Sequence, residues 1–140
     1  MPIQDLARDD VVSASPETSV SELSRQMRDE SVGSVVITND DQTVGIVTDR
    51  DLTTRVLAEE ANPNDQTAED VMSTDLCTVS PESGFYEAAQ TMSEHGVRRL
   101  PVCTDDGKLA GIITADDLTE LLADEQQQLA AVIQAQRPSY

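Results

Sequence analysis

The chain has 140 residues, enough for one compact domain or for two small halves that must share a core. Its 27 acidic side chains against nine basic ones leave a net charge of −18. That balance repels phosphate backbones and excludes sequence-independent nucleic-acid binding, which relies on Lys and Arg neutralising phosphates.

Only Lys108 is a lysine, and the other eight cations are arginines. This pattern reads as adaptation to a salty cytoplasm, where carboxylates keep a protein solvated and salt screens their repulsion. With Phe85, Tyr86 and Tyr140 as the whole aromatic complement, the core is expected to be aliphatic and Met-based, with no stacking platform for single strands. Cys77 and Cys103 sit far apart with apolar flanks, and His95 is the single histidine, which argues against zinc. Both thiols read as small buried hydrophobes in a reducing cytosol. The start, Met1-Pro2-Ile3-Gln4-Asp5, lacks a basic region and apolar run, and no stretch approaches about 18 apolar residues. A cytoplasmic protein with no membrane span is therefore expected.

In chain order, the elements come twice. Ile3-Gln4-Asp5-Leu6-Ala7 and Ala68-Glu69-Asp70-Val71-Met72 open the two halves as short helical turns, the second capped by Thr67 with Asp70 three residues on. Val11–Ala14 and Leu76–Val79 are short β runs, each followed by the same phrase, Ser15-Pro16-Glu17 and Ser80-Pro81-Glu82. An amphipathic helix comes next. Ser19 and Glu22 form a capping box before inward Val20, Leu23 and Met27; the twin begins at Gly84 with Phe85, Ala88, Ala89 and Met92 inward and ends at His95, whose imidazole suits a helix C-terminus. Two short strands follow in each half, 34–38 with 44–47 and 100–103 with 109–113, joined by Asn39-Asp40-Asp41-Gln42 and by Thr104-Asp105-Asp106-Gly107. The loudest repeat closes each half: Gly45-Ile46-Val47-Thr48-Asp49-Arg50-Asp51-Leu52 against Gly111-Ile112-Ile113-Thr114-Ala115-Asp116-Asp117-Leu118. From Thr48 and Thr114 a closing helix runs through Leu52, Val56 and Leu57, or through Leu118, Leu121 and Leu122. The repeat divides the chain into a first unit over 1–58, a linker over 59–66 broken by Asn62-Pro63-Asn64-Asp65, a second unit over 67–123 and a helical extension over 124–140. Leu129, Val132 and Ile133 share a helical face in the extension, and residues 137–140 are expected to fray.

A tandem β-α-β-β-α unit with Gly-apolar-apolar-Thr-x-x-Asp after its last strand resembles the CBS (cystathionine-β-synthase) domain family. Val97-Arg98-Arg99-Leu100-Pro101-Val102 is similar to the family's entry into its second strand. The resemblance covers about 1–123. It implies an α+β fold, with two units packed through their sheets in pseudo-two-fold symmetry around two clefts. It also implies an adenine nucleotide or S-adenosylmethionine as regulatory ligand, no required cofactor, a disk-like homodimer and regulation of a partner rather than catalysis. The residues agree on the last point, since no acid–base–nucleophile set emerges.

Under that resemblance Asp51 and Asp117 become candidate ribose ligands, because a carboxylate is acceptor-only and a cis-diol offers two adjacent donors. The same Thr-x-x-Asp spacing is a capping box, which by itself explains it, and one oxygen could serve each role. Thr48 and Thr114 begin helices and could hold a phosphate by backbone and hydroxyl, or simply cap. Arg50, Arg98 and Arg99 are candidate phosphate forks, with an ion pair to Asp116 as the other reading. Val32, Val97, Ile46 and Ile112 could line an adenine slot or pack in the core. Ser13 and Thr78 are the small polar positions that the family turns toward the base. The first half has Gly33-Ser34 where the second has Arg98-Arg99, so the clefts are not expected to be equivalent. A contact-only scaffold that has lost its ligand is the alternative function. The acidic pairs Asp40-Asp41 and Asp105-Asp106 read as solvated turns rather than cation sites.

Overall fold

The computed structural model of the chain describes residues 2–138; Met1, Ser139 and Tyr140 lie outside the described residues, and with them the end of the segment expected to fray. The first helix, α1 (Val20–Glu30), starts where the Ser19 hydroxyl accepts the Glu22 N–H at 3.1 Å. Glu22 turns its carboxylate to Arg25 at 3.4 Å rather than completing a reciprocal box. Val20, Leu23 and Met27 are buried and Arg25, Arg28, Asp29 and Glu30 exposed, as their spacing predicts. α1 ends on Ser31 at φ 55°, and its twin α4 (Phe85–His95) ends on Gly96 at φ 64°, the left-handed cap that glycine adopts without a Cβ clash.

Each half then builds an antiparallel hairpin. β2 (Ser34–Asn39) pairs with β3 (Gln42–Thr48) through a two-residue turn in which Asp40 and Asp41 both have positive φ, the geometry that matches strand twist. β4 (Arg99–Cys103) pairs with β5 (Leu109–Thr114), with Gly107 supplying φ 82°. The leading strand β1 (Ser13–Ala14) adds to β2 in parallel, and the Val36 N–H donates to the Val12 carbonyl at 3.0 Å. The matching β run expected at Leu76–Val79 shrinks to one bridge, Val79 to Val102. Pro101 stands where the first half has Val36, and proline has no N–H to give the Cys77 carbonyl.

The closing helices also diverge. After β3, α2 (Asp49–Leu52) continues as a π-helical turn (Thr53–Leu57). After β5, α5 runs unbroken over Ala115–Gln136, so the extension expected from 124 is the same helix. Val56 and Leu118 are buried, whereas Leu57 and Leu122 are exposed. Leu129, Val132 and Ile133 extend that exposed apolar face along α5.

Two aliphatic cores result, and each belongs to both halves. The first gathers Val20, Leu23, Met27, Val35, Ile37, Val47 and Val56 with Ala68 and Val71, which lie on α3 (Ala68–Val71), the second half's opening turn. The second gathers Val79, Ala88, Met92, Leu100, Val102, Ile113 and Leu118 around Ile3, from the opening turn of the first half. The Ser-Pro-Glu repeat makes the exchange possible. The Pro16 and Pro81 carbonyls accept the N–H groups of Glu69 and Gln4, each from the other half, at 3.0 Å. Complete burial of Ile3 alone contributes roughly 1.5–3 kcal/mol, so neither half closes its core without its twin.

The exchanged segments next cross the last strands. Arg8 pairs with Ile112 and Ser73 with Ile46, each by two backbone hydrogen bonds of 2.9–3.2 Å. This crossing is why glycine opens both loud repeats. A Cβ at Gly111 would lie 2.9 Å from the Arg8 carbonyl oxygen, and one at Gly45 2.5 Å from the Met72 sulfur.

Candidate ligand cleft

Thr48 and Thr114 end the last strands and start the closing helices, and both form complete capping boxes. The Thr48 hydroxyl accepts the Asp51 N–H at 3.2 Å while Asp51 Oδ2 accepts the Thr48 N–H at 2.9 Å. The corresponding bonds between Thr114 and Asp117 are 3.1 and 3.0 Å. The capping reading of Thr-x-x-Asp therefore holds in both copies. It uses only Oδ2 of each carboxylate.

At Asp51 the other oxygen stays available. Its nearest cation is Arg55, with Nε 3.9 Å away, and that guanidinium already donates to the Val71 carbonyl at 2.8 Å. Asp51 lines an open cleft of about 570 Å³ between the halves, within the usual range for small-molecule sites of roughly 300–1,000 Å³. Ile46, Thr48 and Arg50 line it from the first half, and Val97, Arg98, Arg99 and Pro101 from the second. Seven of the thirteen residues singled out in the sequence thus meet in one place.

Ser73, Asp75, Leu76 and Cys77 complete the wall, together with Asp49. Sequence reasoning missed these. The signal was present in the exchange of the opening segments, which carries Ser73 against Ile46, but spacing within one repeat does not reveal it. The small polar residue at this cleft is Ser73. Thr78 instead lines a separate hollow with Thr43, Ser80, Cys103 and Thr104, and Ser13 is exposed on β1. Cys77 and Cys103, expected to be buried, are half-buried. Partial burial, with Asp75 and Glu94 adding to it, raises the Cys77 thiol above its usual range and keeps it protonated.

The cleft carries three carboxylates (Asp49, Asp51, Asp75) and three of the eight arginines. Its own charge is therefore balanced, in a chain that elsewhere repels anions. Arg98 is exposed and paired with Asp116 at 3.2 Å. Arg50 and Arg99 make no ion pair among the described residues. Arg99 reaches the first half beside Gly33, where a Cβ would come within 3.3 Å of its guanidinium and 3.1 Å of Asp49 Oδ2. Gly33 is thus the gap that admits Arg99, which gives the Gly-for-Arg departure between repeats a physical reason.

Ile112, Thr114 and Asp117 hold the equivalent positions in the second repeat, and the setting there differs. There Asp117 Oδ1 accepts from Arg8 Nη2 at 3.0 Å. Val32 and Ile112 are half-buried. His95 is exposed at the end of α4, with Nδ1 3.0 Å from the Thr91 carbonyl, away from any nucleophile–base pair. Among the described residues, no group of three His, Cys, Asp or Glu gathers to hold a metal ion, and no helix is long and apolar enough to cross a membrane.

Two α+β units of matching order thus exchange their opening segments and meet at a cleft. The chain belongs to the CBS domain family, with CBS domains at residues 3–58 and 68–124. It is 39% identical over 120 residues to an uncharacterised protein of Methanopyrus kandleri, covering 85% of this chain and 61% of that protein, so it spans less than two thirds of this relative. In fold it is similar to a CBS domain pair solved in complex with 5′-methylthioadenosine and S-adenosyl-L-methionine (TM-score 0.81, 22% identity, 89% of this chain and 98% of that one). It is also similar to a CBS domain protein from Pyrobaculum aerophilum complexed with AMP (TM-score 0.76, 23% identity, 84% and 89%).

Proposed function

We propose that the protein is a ligand-sensing module that binds an adenine nucleotide or adenosyl compound in the Asp51 cleft and regulates a partner protein. One observation carries this reading: Asp51 lines the cleft and caps its helix with only one of its two oxygens. In the bound state the other oxygen accepts from the ribose hydroxyls, and Ile46 and Val97 cover the base. The Thr48 hydroxyl, Arg50 and Arg99 take the phosphate, since neither guanidinium is held by a carboxylate. AMP and ATP fit this charge pattern, and S-adenosylmethionine fits the carboxylates Asp49 and Asp75. The complexes held by the two similar structures support the ligand class.

Signalling follows from differential affinity. A ligand that bridges Asp51 of one half and Arg99 of the other favours the arrangement in which the halves are closed, and shifts the population toward it. The exposed apolar stripe of α5 supports a contact role for the same chain, with a second copy as occupant. Calorimetric titration of AMP, ATP and S-adenosylmethionine, in dilute buffer and in molar salt, tests the sensor reading. Saturable heat from at least one is expected; no heat from any, with a cooperative melt confirming the fold, overturns it.

A further inference from the structure

The pseudo-two-fold maps Ser73 onto Arg8. Ser73 crosses Ile46 beside the Asp51 cleft, and Arg8 crosses Ile112 beside Asp117, with the same pair of backbone bonds. The side chains differ in consequence. Serine is too short to reach a helix cap across the seam. Arginine reaches it, and Nη2 of Arg8 sits 3.0 Å from Asp117 Oδ1. Asp117 Oδ2 is already committed to the Thr114 N–H at 3.0 Å. Both oxygens of Asp117 therefore accept hydrogen bonds, where Oδ1 of Asp51 has only the Arg55 Nε at 3.9 Å, beyond hydrogen-bond distance. The carboxylate is 10% exposed and the Arg8 side chain 64% exposed, so the guanidinium approaches from solvent and has room to leave.

We propose that Arg8 is an internal competitor for the second cleft: its guanidinium fills the place on Asp117 that a ligand's hydroxyl pair must take, so the Asp51 cleft loads first and the Asp117 cleft loads only as Arg8 is displaced. The inference rests on the ribose-binding reading of the Thr-x-x-Asp pair. Its physical basis is that an ion pair and a neutral diol compete for one oxygen. The ion pair is screened by salt, because its cation is largely in water, whereas hydrogen bonding by a neutral diol is not. Added salt should therefore tighten the second cleft for an uncharged nucleoside, the reverse of what it does to a phosphate ligand.

The test uses the full chain, with adenosine as uncharged probe and AMP beside it, followed by calorimetry at low and high salt. The native protein should bind adenosine at two unequal sites, the weaker one tightening as salt rises. Arg8→Ala should tighten the weaker site by about two- to fivefold, as expected for loss of a partly exposed ion pair, and abolish its salt response. The backbone bonds of Arg8 to Ile112 survive that change, so folding is retained, and Arg8→Gln serves as a second variant without the charge. Asp51→Asn identifies the sites by weakening only the tighter one. Two equal sites in the native protein, or a weaker site unmoved in both Arg8 variants, overturns the competitor while leaving the sensor reading intact. No binding at either cleft in native and variant chains overturns both.

Discussion

Replacing Asp51 separates its two tasks. Oδ2 closes the Thr48 cap at 2.9 Å, while Oδ1, on a cleft-lining side chain only 14% exposed, has its nearest cation at 3.9 Å. Asp51→Asn keeps the shape and one acceptor. With that oxygen on the Thr48 N–H, the helix start survives, but the cleft is offered an amide NH2, a donor facing two hydroxyl donors. Losing a charged hydrogen bond of about 1.5–3 kcal/mol corresponds to roughly 10–150-fold in affinity. Asp51→Ala loses the cap as well, for about 1 kcal/mol of stability. In a domain of this size that lowers the melting temperature by about 3–5 °C. Calorimetric titration with AMP reads the first effect, and differential scanning calorimetry the second. The expected pattern is weak binding in both variants and a lowered melt only in Asp51→Ala. If Asp51→Asn binds AMP within twofold of the native chain, the carboxylate serves the helix alone and the ribose assignment fails.

The crossing glycines should respond unequally to alanine. At Gly111 the new Cβ meets the backbone oxygen of Arg8, a residue held by two strand bonds, so Gly111→Ala should lose about 1–3 kcal/mol in urea unfolding. Gly45→Ala meets the flexible Met72 side chain, which can repack, and should lose less; an equal or larger loss for Gly45→Ala would refute the assignment. Truncation after Asp124 removes the exposed Leu129, Val132 and Ile133. Sedimentation velocity should show loss of self-association with AMP affinity unchanged, and an unaltered oligomeric state would remove the α5 tail from any contact role.

Much of this molecule is legible locally. Capping boxes at Thr48 and Thr114, hairpin turns at Asp40-Asp41 and Gly107, and the inner faces of α1 and α4 follow from short-range rules, because their hydrogen bonds and periodicities close within a few residues. The duplication is equally plain, and it places the acids Asp51 and Asp117 in equivalent positions. Where the reading failed, a distant residue intervened. Pro101 removed the donor that a second leading strand needed.

The amino-acid order alone determined that two like units exist, where each helix begins and turns, and which two carboxylates sit at the starts of the closing helices. Only the tertiary structure decided which half completes which core, and so which side chains face each carboxylate. Opening turns that cross to the opposite half bring Ser73 to one seam and Arg8 to the other, while Gly33 opens a path for Arg99. These pairings span from 27 residues of chain, between Ile46 and Ser73, to 109, between Arg8 and Asp117. No periodicity encodes contacts at that distance. They arise because each half, too small to bury its own apolar face, is sealed by its twin.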